Sequence, residues 1–488
     1  MRLSDLSEKA ADALRSAGAY VSDLMTPTLR LGVTGLARSG KTVFITAFVR
    51  SLVSGGRLPY FAAMAEGRIA RAYLEPQPDD TLPRFAYEEH LAALAADPPH
   101  WPHSTRRISQ LRVTVEYSPH TLLKRTLGTG RLHVDVIDYP GEWLLDLPLL
   151  DLDYPEWSAR ALAQARLPLR ADAARDWLSF LASLDATAPA DEQKALVGAQ
   201  LFTRYLQAAR APDALLTAPG PGRFLLPGDL AGSPLLTFFP LPPPAGPAAA
   251  RGSLAAMLAR RFDSYKTHVV QPFFRDHFAR LDRQIVLIDA LSAINSGPAA
   301  LIDLQQTMEG VLRAFRPGAN TLLSSLIAPR IDRLLFAATK ADHLHHTSHD
   351  RLEAILRLLA DQAIARASFA GADVKVMALA ALRATREAEA RSGRQRLPCI
   401  VGVPLPGEQL GRKSFDGRTE AAVFPGDLPA DPSTLLNPTA PIATPDVVHF
   451  PRFRPPRVSL ATPAGDAPAL PHIRLDRAVD FLIGDRLA

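Results

Sequence analysis

The segment Gly35 to Thr42 (GLARSGKT) constrains the fold of this 488-residue chain more than any other part of the sequence. It fits the pattern G-x-x-x-x-G-K-[ST], in which glycine-permitted turns point backbone N–H groups at a phosphate. The apolar stretch 28–34 precedes it and a helical pattern over 41–52 follows it. Because anions bind at the N-terminus of a helix, this placement predicts a strand, phosphate loop and helix in succession.

Two side chains of the loop receive chemical roles. Lys41 is predicted to bridge the β- and γ-phosphates as a catalytic residue, and Thr42 to give its hydroxyl to Mg²⁺, a hard cation that prefers oxygen ligands. The loop residues predicted to bind the nucleotide are Gly35, Leu36, Ala37, Arg38, Ser39, Gly40, Lys41, Thr42 and Val43.

A carboxylate for the metal follows the apolar strand 132–137. Asp138 begins a D-x-x-G pattern that ends at Gly141. In such sites the aspartate holds Mg²⁺ through water, and the glycine N–H senses the γ-phosphate. Asp289, after strand 284–288, is a competing carboxylate, but no glycine follows it at that spacing. For Asp289 we favour a helix N-cap over a metal ligand.

The base is predicted to be guanine. Segment 339–342 (TKAD) follows the strand 333–338 and fits the pattern [NT]-K-x-D, with Thr339 first. Asp342 can accept two hydrogen bonds from guanine, which adenine cannot supply, and the stem of Lys340 lies along the base. Ala380 and Ala381 follow the last apolar strand, where a backbone N–H reaches guanine O6. GTP and GDP are the predicted ligands, and an ATPase with the same loop is the alternative.

Hydrolysis requires a group that orients water. Glu142 follows the sensing glycine, where Ras-like proteins usually carry glutamine, and two interpretations stay open: a catalytic residue, or a solvated or salt-bridged one. The first switch is predicted in 101–107 (WPHSTRR). There Thr105 can ligate Mg²⁺, and Arg106 or Arg107 can reach the γ-phosphate. A regulatory module that binds nucleotide without significant turnover remains a rival hypothesis.

The order of apolar runs and helical windows predicts an α/β P-loop NTPase domain with a mostly parallel sheet. A large helical insertion interrupts this sheet, and a Pro/Gly-rich extension ends the chain. The predicted parts are an N-terminal amphipathic helix in 1–27, the first part of the core in 28–143, the insertion in 144–280, the second part of the core in 281–396 and the extension in 397–488.

The composition of the chain restricts which cellular compartment and which binding partners are expected. A net charge of +5 is spread along the chain, so no nucleic-acid partner is expected. A single cysteine, Cys399, and an N-terminus without a signal-peptide pattern predict a cytoplasmic protein. Peripheral membrane contact stays open. The size of the insertion favours a protein effector or regulator that contacts the insertion and the switch loops.

These motifs, with others across the chain, resemble the YcjX family of bacterial Ras-like P-loop proteins. The segments that carry the resemblance are GLARSGKTVFITAFV, GRLPYF, WPHSTRRISQLRV, DYPGEWLLDLPLL, VVQPFFRDHFARLDRQIVLIDAL, TKADH, LPCIVGVPLPGE and FPGDLP. The resemblance implies a Ras-like GTP-binding domain, Mg²⁺ dependence, switch regions, an inserted helical part and an association with stress responses. The resemblance implies the family's residue roles only where its motifs match, at 35–42, Asp138 and 339–342. Thr339 departs from the commoner asparagine, which removes an amide that often braces the phosphate loop.

Overall fold

The structure is a computed structural model that describes residues 26–120, 129–210, 220–242, 250–313, 331–392, 395–437, 449–459 and 469–488. The amphipathic helix predicted in 1–27 lies outside the described residues, apart from its last two positions.

A seven-stranded sheet forms the centre of the fold. Its strands are β1 (Thr28–Gly35), β2 (Ile69–Leu74), β3 (Ser109–Tyr117), β4 (Gly130–Asp138), β5 (Arg283–Ile288), β6 (Arg333–Ala338) and β7 (Asp373–Ala378). The spatial order is β2-β3-β4-β1-β5-β6-β7, and the five strands from β4 to β7 in that order run parallel. The predicted mostly parallel α/β sheet is confirmed. The sequence does not predict the antiparallel edge strand β2, because its residues are only partly buried.

The pairing brings the loops that carry the motifs to one edge of the sheet. Gly35 at the end of β1 pairs with Leu287 in β5, so the carboxyl ends of the parallel strands lie side by side. β3 runs antiparallel to β4, and its first residue Ser109 pairs with Asp138. The loop before β3 therefore reaches the same edge as the loops after the parallel strands.

Thirteen α-helices accompany the sheet in the described residues. They are α1 (Lys41–Val53), α2 (Ala62–Ala65), α3 (Tyr87–Ala95), α4 (Tyr154–Ala165), α5 (Pro168–Ala182), α6 (Glu192–Ala209), α7 (Gly222–Leu225), α8 (Leu254–Tyr265), α9 (Gln271–Asp276), α10 (Ala290–Asn295), α11 (Pro298–Arg313), α12 (His349–Phe369) and α13 (Leu475–Ile483). Within these ranges, none has the length and apolar character needed to cross a bilayer.

Both faces of the sheet are buried, which explains the uninterrupted apolar runs of its strands. In β5, Ile285 and Leu287 join a cluster that includes α1 and α13, whereas Val286 and Ile288 join a cluster with α10, α11 and α12. Successive side chains of a strand point to opposite faces, so one apolar run serves both clusters.

The segment that lies between β4 and β5 in sequence forms a separate hydrophobic cluster. All its buried members lie between 149 and 270. Trp157 stacks on Phe262 at 4.8 Å between ring centroids, and Phe238 meets Trp157 edge-on at 5.5 Å. The boundaries 144 and 280 stay a prediction, but a segment with a separate core is what an insertion requires.

A second, three-stranded antiparallel sheet follows the central one. It contains β8 (Arg386–Ser392), β9 (Gln395–Gly402) and β12 (Ala421–Val423), and the short pair β10 (Gln409–Leu410) and β11 (Lys413–Ser414) lies between them. From 397 onward the sequence predicts mostly loop or short strand. It does not predict β8 (REAEARS), because charged residues interrupt any apolar run there. The predicted boundary at 396/397 falls inside β9.

Candidate nucleotide-binding site

The loop after β1 has the backbone conformation of an anion cradle. Gly35 has φ 148° and Gly40 has φ 90°, and Gly40 precedes the first residue of α1. A Cβ on Gly35 would lie 2.4 Å from the carbonyl oxygen of Leu287, so a side chain there would collide with β5. Arg38 also adopts a left-handed conformation, φ 65°, which is uncommon outside glycine.

Lys41 is buried within this loop. Its Nζ donates hydrogen bonds to the carbonyl oxygens of Gly35 at 2.8 Å and Leu36 at 3.2 Å. Burial lowers the pKa of Lys41, and the charges of Asp138 and Glu142 oppose that effect. A phosphate oxygen would be a stronger, charge-assisted partner for this ammonium group than two neutral carbonyls.

The three residues predicted to hold the metal come together from three separate segments. Thr42 Oγ1 lies 3.4 Å from Thr105 Oγ1, and the Thr105 hydroxyl donates to Asp138 Oδ2. Burial raises the pKa of Asp138 to about 6, although Lys41 and Thr105 limit the rise.

One carboxylate oxygen of this group is available to bind a cation. Among the described residues, the buried Asp138 Oδ1 has no hydrogen-bond partner, and neither has Ser39 Oγ of the phosphate loop. An unpartnered buried carboxylate oxygen beside two hydroxyls is a donor set that a hard divalent cation prefers. The residues present therefore fit Mg²⁺.

The D-x-x-G turn lies directly against the phosphate loop. A Cβ on Gly141 would be 2.6 Å from the carbonyl oxygen of Gly35 and 2.7 Å from the N atom of Ala37. Only glycine permits this close approach. The 3-10 segment Gly141–Asp151, which begins at this glycine, is therefore in direct contact with the phosphate loop.

A cavity of about 520 Å³ opens beside the phosphate loop, within the size range of ligand pockets. Its polar lining comes from the phosphate loop, the D-x-x-G turn, the insertion, the chain directly after β5 and β6, α10 and the C-terminal extension. The charged lining residues are Arg38, Glu142, Arg210, Asp289, Lys340, Glu408 and Arg452.

Three of the four arginine and lysine side chains in this lining are ion-paired. The pairs are Arg210–Glu142, Lys340–Asp289 and Arg452–Glu408. Arg38 has no carboxylate partner within the described ranges, and its pKa is lowered first by burial and then by Arg210 and Arg452. Clustered cations that repel each other favour an anionic ligand.

Glu142 is held by the insertion. Its carboxylate accepts a hydrogen bond from Arg210, which follows the last residue of α6. Of the two interpretations of Glu142, this geometry favours the salt-bridged one. Nothing in the sequence singles out Arg210, because a basic residue at a helix C-terminus is ordinary. Arg106 and Arg107, the predicted phosphate contacts, are exposed and do not line the cavity.

Asp289 caps α10, as its sequence position suggests. Its carboxylate accepts the N–H of Ser292 at 3.2 Å and the Ser292 hydroxyl at 2.6 Å, and it pairs with Lys340. Burial works to raise the pKa of Asp289, but Lys340 and Ser292 outweigh it and the pKa is lowered. These contacts satisfy both oxygens and favour the N-cap interpretation.

The predicted guanine residues do not all face the cavity. Lys340 lines it, whereas Asp342 is only 3% exposed and accepts the N–H of Ala384 at 2.8 Å. Ala380 donates its N–H to the carbonyl oxygen of Ile473 at 3.1 Å, so this N–H is already used.

The other two guanine positions also lie off the cavity lining. Thr339 is tied to β5, since its N–H and its hydroxyl both donate to the Ile288 carbonyl oxygen, at 2.9 and 3.3 Å. Ala381 is half-buried, and in the described structure its N–H makes no hydrogen bond.

The C-terminal extension closes one side of the cavity with residues that the sequence does not mark as functional. His449, Phe450 and Arg452 line it. The side-chain amide of Asn295, at the end of α10, donates to the Phe450 carbonyl oxygen and accepts the Phe450 N–H, both at 2.9 Å. The predicted first switch also meets this segment, because Trp101 Nε1 donates to the Phe453 carbonyl oxygen at 2.7 Å.

A buried carboxyl beyond the D-x-x-G turn predicts pH-dependent stability. Asp146 accepts the N–H of Gly222 at 2.7 Å, and burial raises its pKa from 3.8 to about 7. The folded state therefore binds this proton more tightly than the unfolded state. The unfolding free energy should fall as the pH rises from about 4 to about 7. Asp146→Asn should remove this part of the pH dependence.

At pH 8 we expect Asp146→Asn to raise the unfolding free energy by about 2 kcal/mol, because the amide carries no charge to desolvate and can still accept from Gly222. Urea denaturation at pH 5 and pH 8 measures the effect. The exposed Asp172→Asn, in α5, is the matched control. The same pH slope in Asp146→Asn and in the wild type would contradict the prediction.

Comparisons with known proteins show the family of this chain. The model of the YcjX-like family, DUF463, matches residues 29–487. The protein called Ras-like GTPase YcjX of Escherichia coli K12 is 39% identical over 469 residues, which cover 94% of this chain and 96% of that protein. The protein of the same name from Shewanella oneidensis MR-1 is 33% identical over 477 residues, 94% of each chain. The chain therefore belongs to the YcjX-like family, DUF463.

Proposed function

We propose that this protein is a guanine-nucleotide switch that binds GTP and GDP at the phosphate loop and hydrolyses GTP slowly with Mg²⁺. The observation that carries the proposal is the convergence of Thr42, Thr105 and Asp138 beside the buried Lys41. The relatives named Ras-like GTPase support the choice of nucleotide. A role in stress responses is what the family resemblance implies for the cellular setting.

In the proposed complex, phosphate oxygens replace the carbonyl oxygens that Lys41 now contacts. The phosphate loop offers its N–H groups and the N-terminus of α1 to the negative charge. Mg²⁺, when bound, would neutralise charge on the β- and γ-phosphates. Thr42 and Asp138 would hold the metal from the core, and Thr105 from the switch loop. Gly141, packed on the phosphate loop, would report the γ-phosphate to the segment behind it.

Guanine selection in this proposal depends on Asp342. Its Oδ2 accepts the Ala384 N–H, and an ionised carboxylate has about four acceptor sites, so it can also accept from guanine. Because Asp342 is buried, the loops around it must separate when the base enters. The stem of Lys340 would lie along the base, whether or not its ion pair with Asp289 is retained. Ala381 is the better candidate for guanine O6, since Ala380 donates to Ile473.

For hydrolysis we propose that Glu142 restrains Arg210. Once released, this guanidinium can reach the γ-phosphate from the insertion, where a cation stabilises the charge of the transition state. Nucleotide state would then be coupled to the position of α6. A protein that binds the insertion or the switch loops could regulate this release, which is the proposed route for an effector.

A double-mutant cycle tests this coupling. Glu142→Gln should speed single-turnover GTP hydrolysis about ten-fold, because it removes one charge-assisted hydrogen bond that holds Arg210. Arg210→Gln should slow hydrolysis about 10²-fold, and the double variant should be as slow as Arg210→Gln alone. If Glu142 were the catalytic base, Glu142→Gln would slow the reaction instead. The exposed Arg175→Gln serves as control.

Phosphate release in a single turnover separates the switch from its rival, a binding module without turnover. Wild-type protein with Mg²⁺ and γ-labelled GTP should release phosphate measurably faster than Lys41→Ala. Equal rates would favour the binding module. The same assay with ATP tests the ATPase alternative, which requires ATP to be hydrolysed at least as fast as GTP.

A further inference from the structure

A cluster of histidines lies immediately after the guanine motif. The segment 341–350 (ADHLHHTSHD) contains His343, His345, His346 and His349. Two of these have structural roles: His343 is buried edge-on against Phe453 at 5.2 Å, and His349 Nε2 donates to the Ala341 carbonyl oxygen at 2.9 Å. His345 and His346 remain near the surface, and neither belongs to the nucleotide cavity.

Glu387, in β8, faces both of these rings. Its Oε2 lies 2.7 Å from His346 Nδ1 and 3.8 Å from His345 Nε2. One ligand atom from each of the three residues can be chosen so that all lie within 4.8 Å of one another. The two imidazole rings are 4.3 Å apart between centroids, so both can turn toward a common point.

Neighbouring groups orient these ligands. Thr347 Oγ1 lies 3.0 Å from His345 Nδ1, which fixes the ring and leaves Nε2 facing Glu387. The other carboxylate oxygen, Glu387 Oε1, accepts the N–H of His346 at 3.2 Å and lies 3.7 Å from Arg383 Nη2. A cation would bind Oε2 and replace its present hydrogen bond with His346 Nδ1. In the metal-bound form His345 Nδ1 would carry the ring proton and donate it to Thr347 Oγ1, as the outer nitrogen of a metal-binding histidine does.

We propose that His345, His346 and Glu387 bind a divalent transition metal, with Zn²⁺ as the ion that best matches the site. Two imidazoles and one carboxylate suit a borderline cation, unlike the all-oxygen donors that suit Mg²⁺. The His346 side chain is 63% exposed, so water can complete the coordination shell. The ordinary alternative is a hydrogen-bonded His–Glu pair at the surface.

The metal would join strand β8 to the loop that follows the guanine motif. His345 and His346 follow the guanine motif closely, and Glu387 lies on the chain that continues from Ala384 and Thr385, both bonded to Asp342. A cation bound by Glu387 of β8 and by His345 and His346 would hold these two segments together. This metal binding needs no nucleotide and does not depend on the proposed function.

Calorimetric titration of the full-length, tag-free, chelator-treated protein with ZnCl₂ tests the proposal, in buffer without nucleotide. We expect one saturable site per chain, with Glu387→Gln and His346→Ala each weakening it at least about ten-fold. His268→Ala, which removes an exposed histidine of the insertion, should leave it unchanged. Co²⁺ should give a visible absorption band in the wild type that is lost in both ligand variants.

Thermal melts without metal show whether the variants are folded. Zinc should raise the melting temperature of the wild type and of His268→Ala, but not of Glu387→Gln. Absence of saturable binding in the wild type, or equal binding in Glu387→Gln and wild type, would overturn the proposal.

Discussion

Replacing Lys41 by alanine is expected to lower single-turnover GTP hydrolysis by about 10³-fold or more, as the loss of a preorganised charge contact in a buried site does. Lys41 is the buried ammonium group in the phosphate loop, and its present partners are two carbonyl oxygens of the same loop. The alanine variant keeps the loop conformation set by Gly35 and Gly40. It loses the positive charge that would stabilise the negative charge of the γ-phosphate in the transition state.

The matched control is Lys194→Ala, which removes an exposed lysine from α6. Its rate should equal that of the wild type. Thermal melts of both variants identify any loss of folding, and Lys41→Met offers a second variant that fills the same apolar volume. Hydrolysis by Lys41→Ala or Lys41→Met within a factor of about three of the wild type would contradict a role at the phosphate.

Asp342→Asn is expected to invert the base preference from guanine to xanthine. The carboxylate can accept two guanine hydrogen bonds, and bonds to charged groups contribute about 1.5–3 kcal/mol each, so GTP affinity should fall about 10³-fold. The asparagine amide can donate to the 2-oxo group of xanthine, so xanthosine triphosphate should bind the variant better than GTP. The amide oxygen can still accept the Ala384 N–H, which preserves the fold.

Competition between GTP and xanthosine triphosphate for a fluorescent GDP analogue measures this inversion. Asp350→Asn is the matched control, because Asp350 is exposed and lies in the first turn of α12. It should keep the wild-type preference. An unchanged preference for GTP in Asp342→Asn would exclude guanine recognition by this residue.

Local patterns predicted the elements that place the site. The glycines, lysine and threonine of 35–42 define a loop conformation by themselves, and the apolar strands before Asp138 and Asp342 locate the other loops. Parallel pairing brings the loops after β1, β4 and β6 to one edge, and antiparallel pairing of β3 with β4 brings the loop that contains Thr105 to the same edge. That is why Thr42, Thr105 and Asp138, which are distant in sequence, meet as expected.

Long-range contacts were not predictable in the same way. Arg210 meets Glu142 only because α6 of the insertion returns to the nucleotide edge, and no periodicity encodes that return. Phe450 and Arg452 reach the cavity through irregular chain held by Asn295, a contact between positions far apart in sequence. The antiparallel pairing of β8 with β9 was not predicted, because β8 is rich in charged residues and has no apolar run.

Calorimetric titration of the wild-type protein with a non-hydrolysable GTP analogue, with GDP and with the matching ATP analogue, in Mg²⁺ and again in EDTA, tests the central claim most directly. The account predicts one site per chain, binding of the GTP analogue at least about 10²-fold tighter than the ATP analogue, and weaker binding of the GTP analogue in EDTA. No saturable binding of either guanine nucleotide, or equal affinity for the ATP analogue, would contradict it.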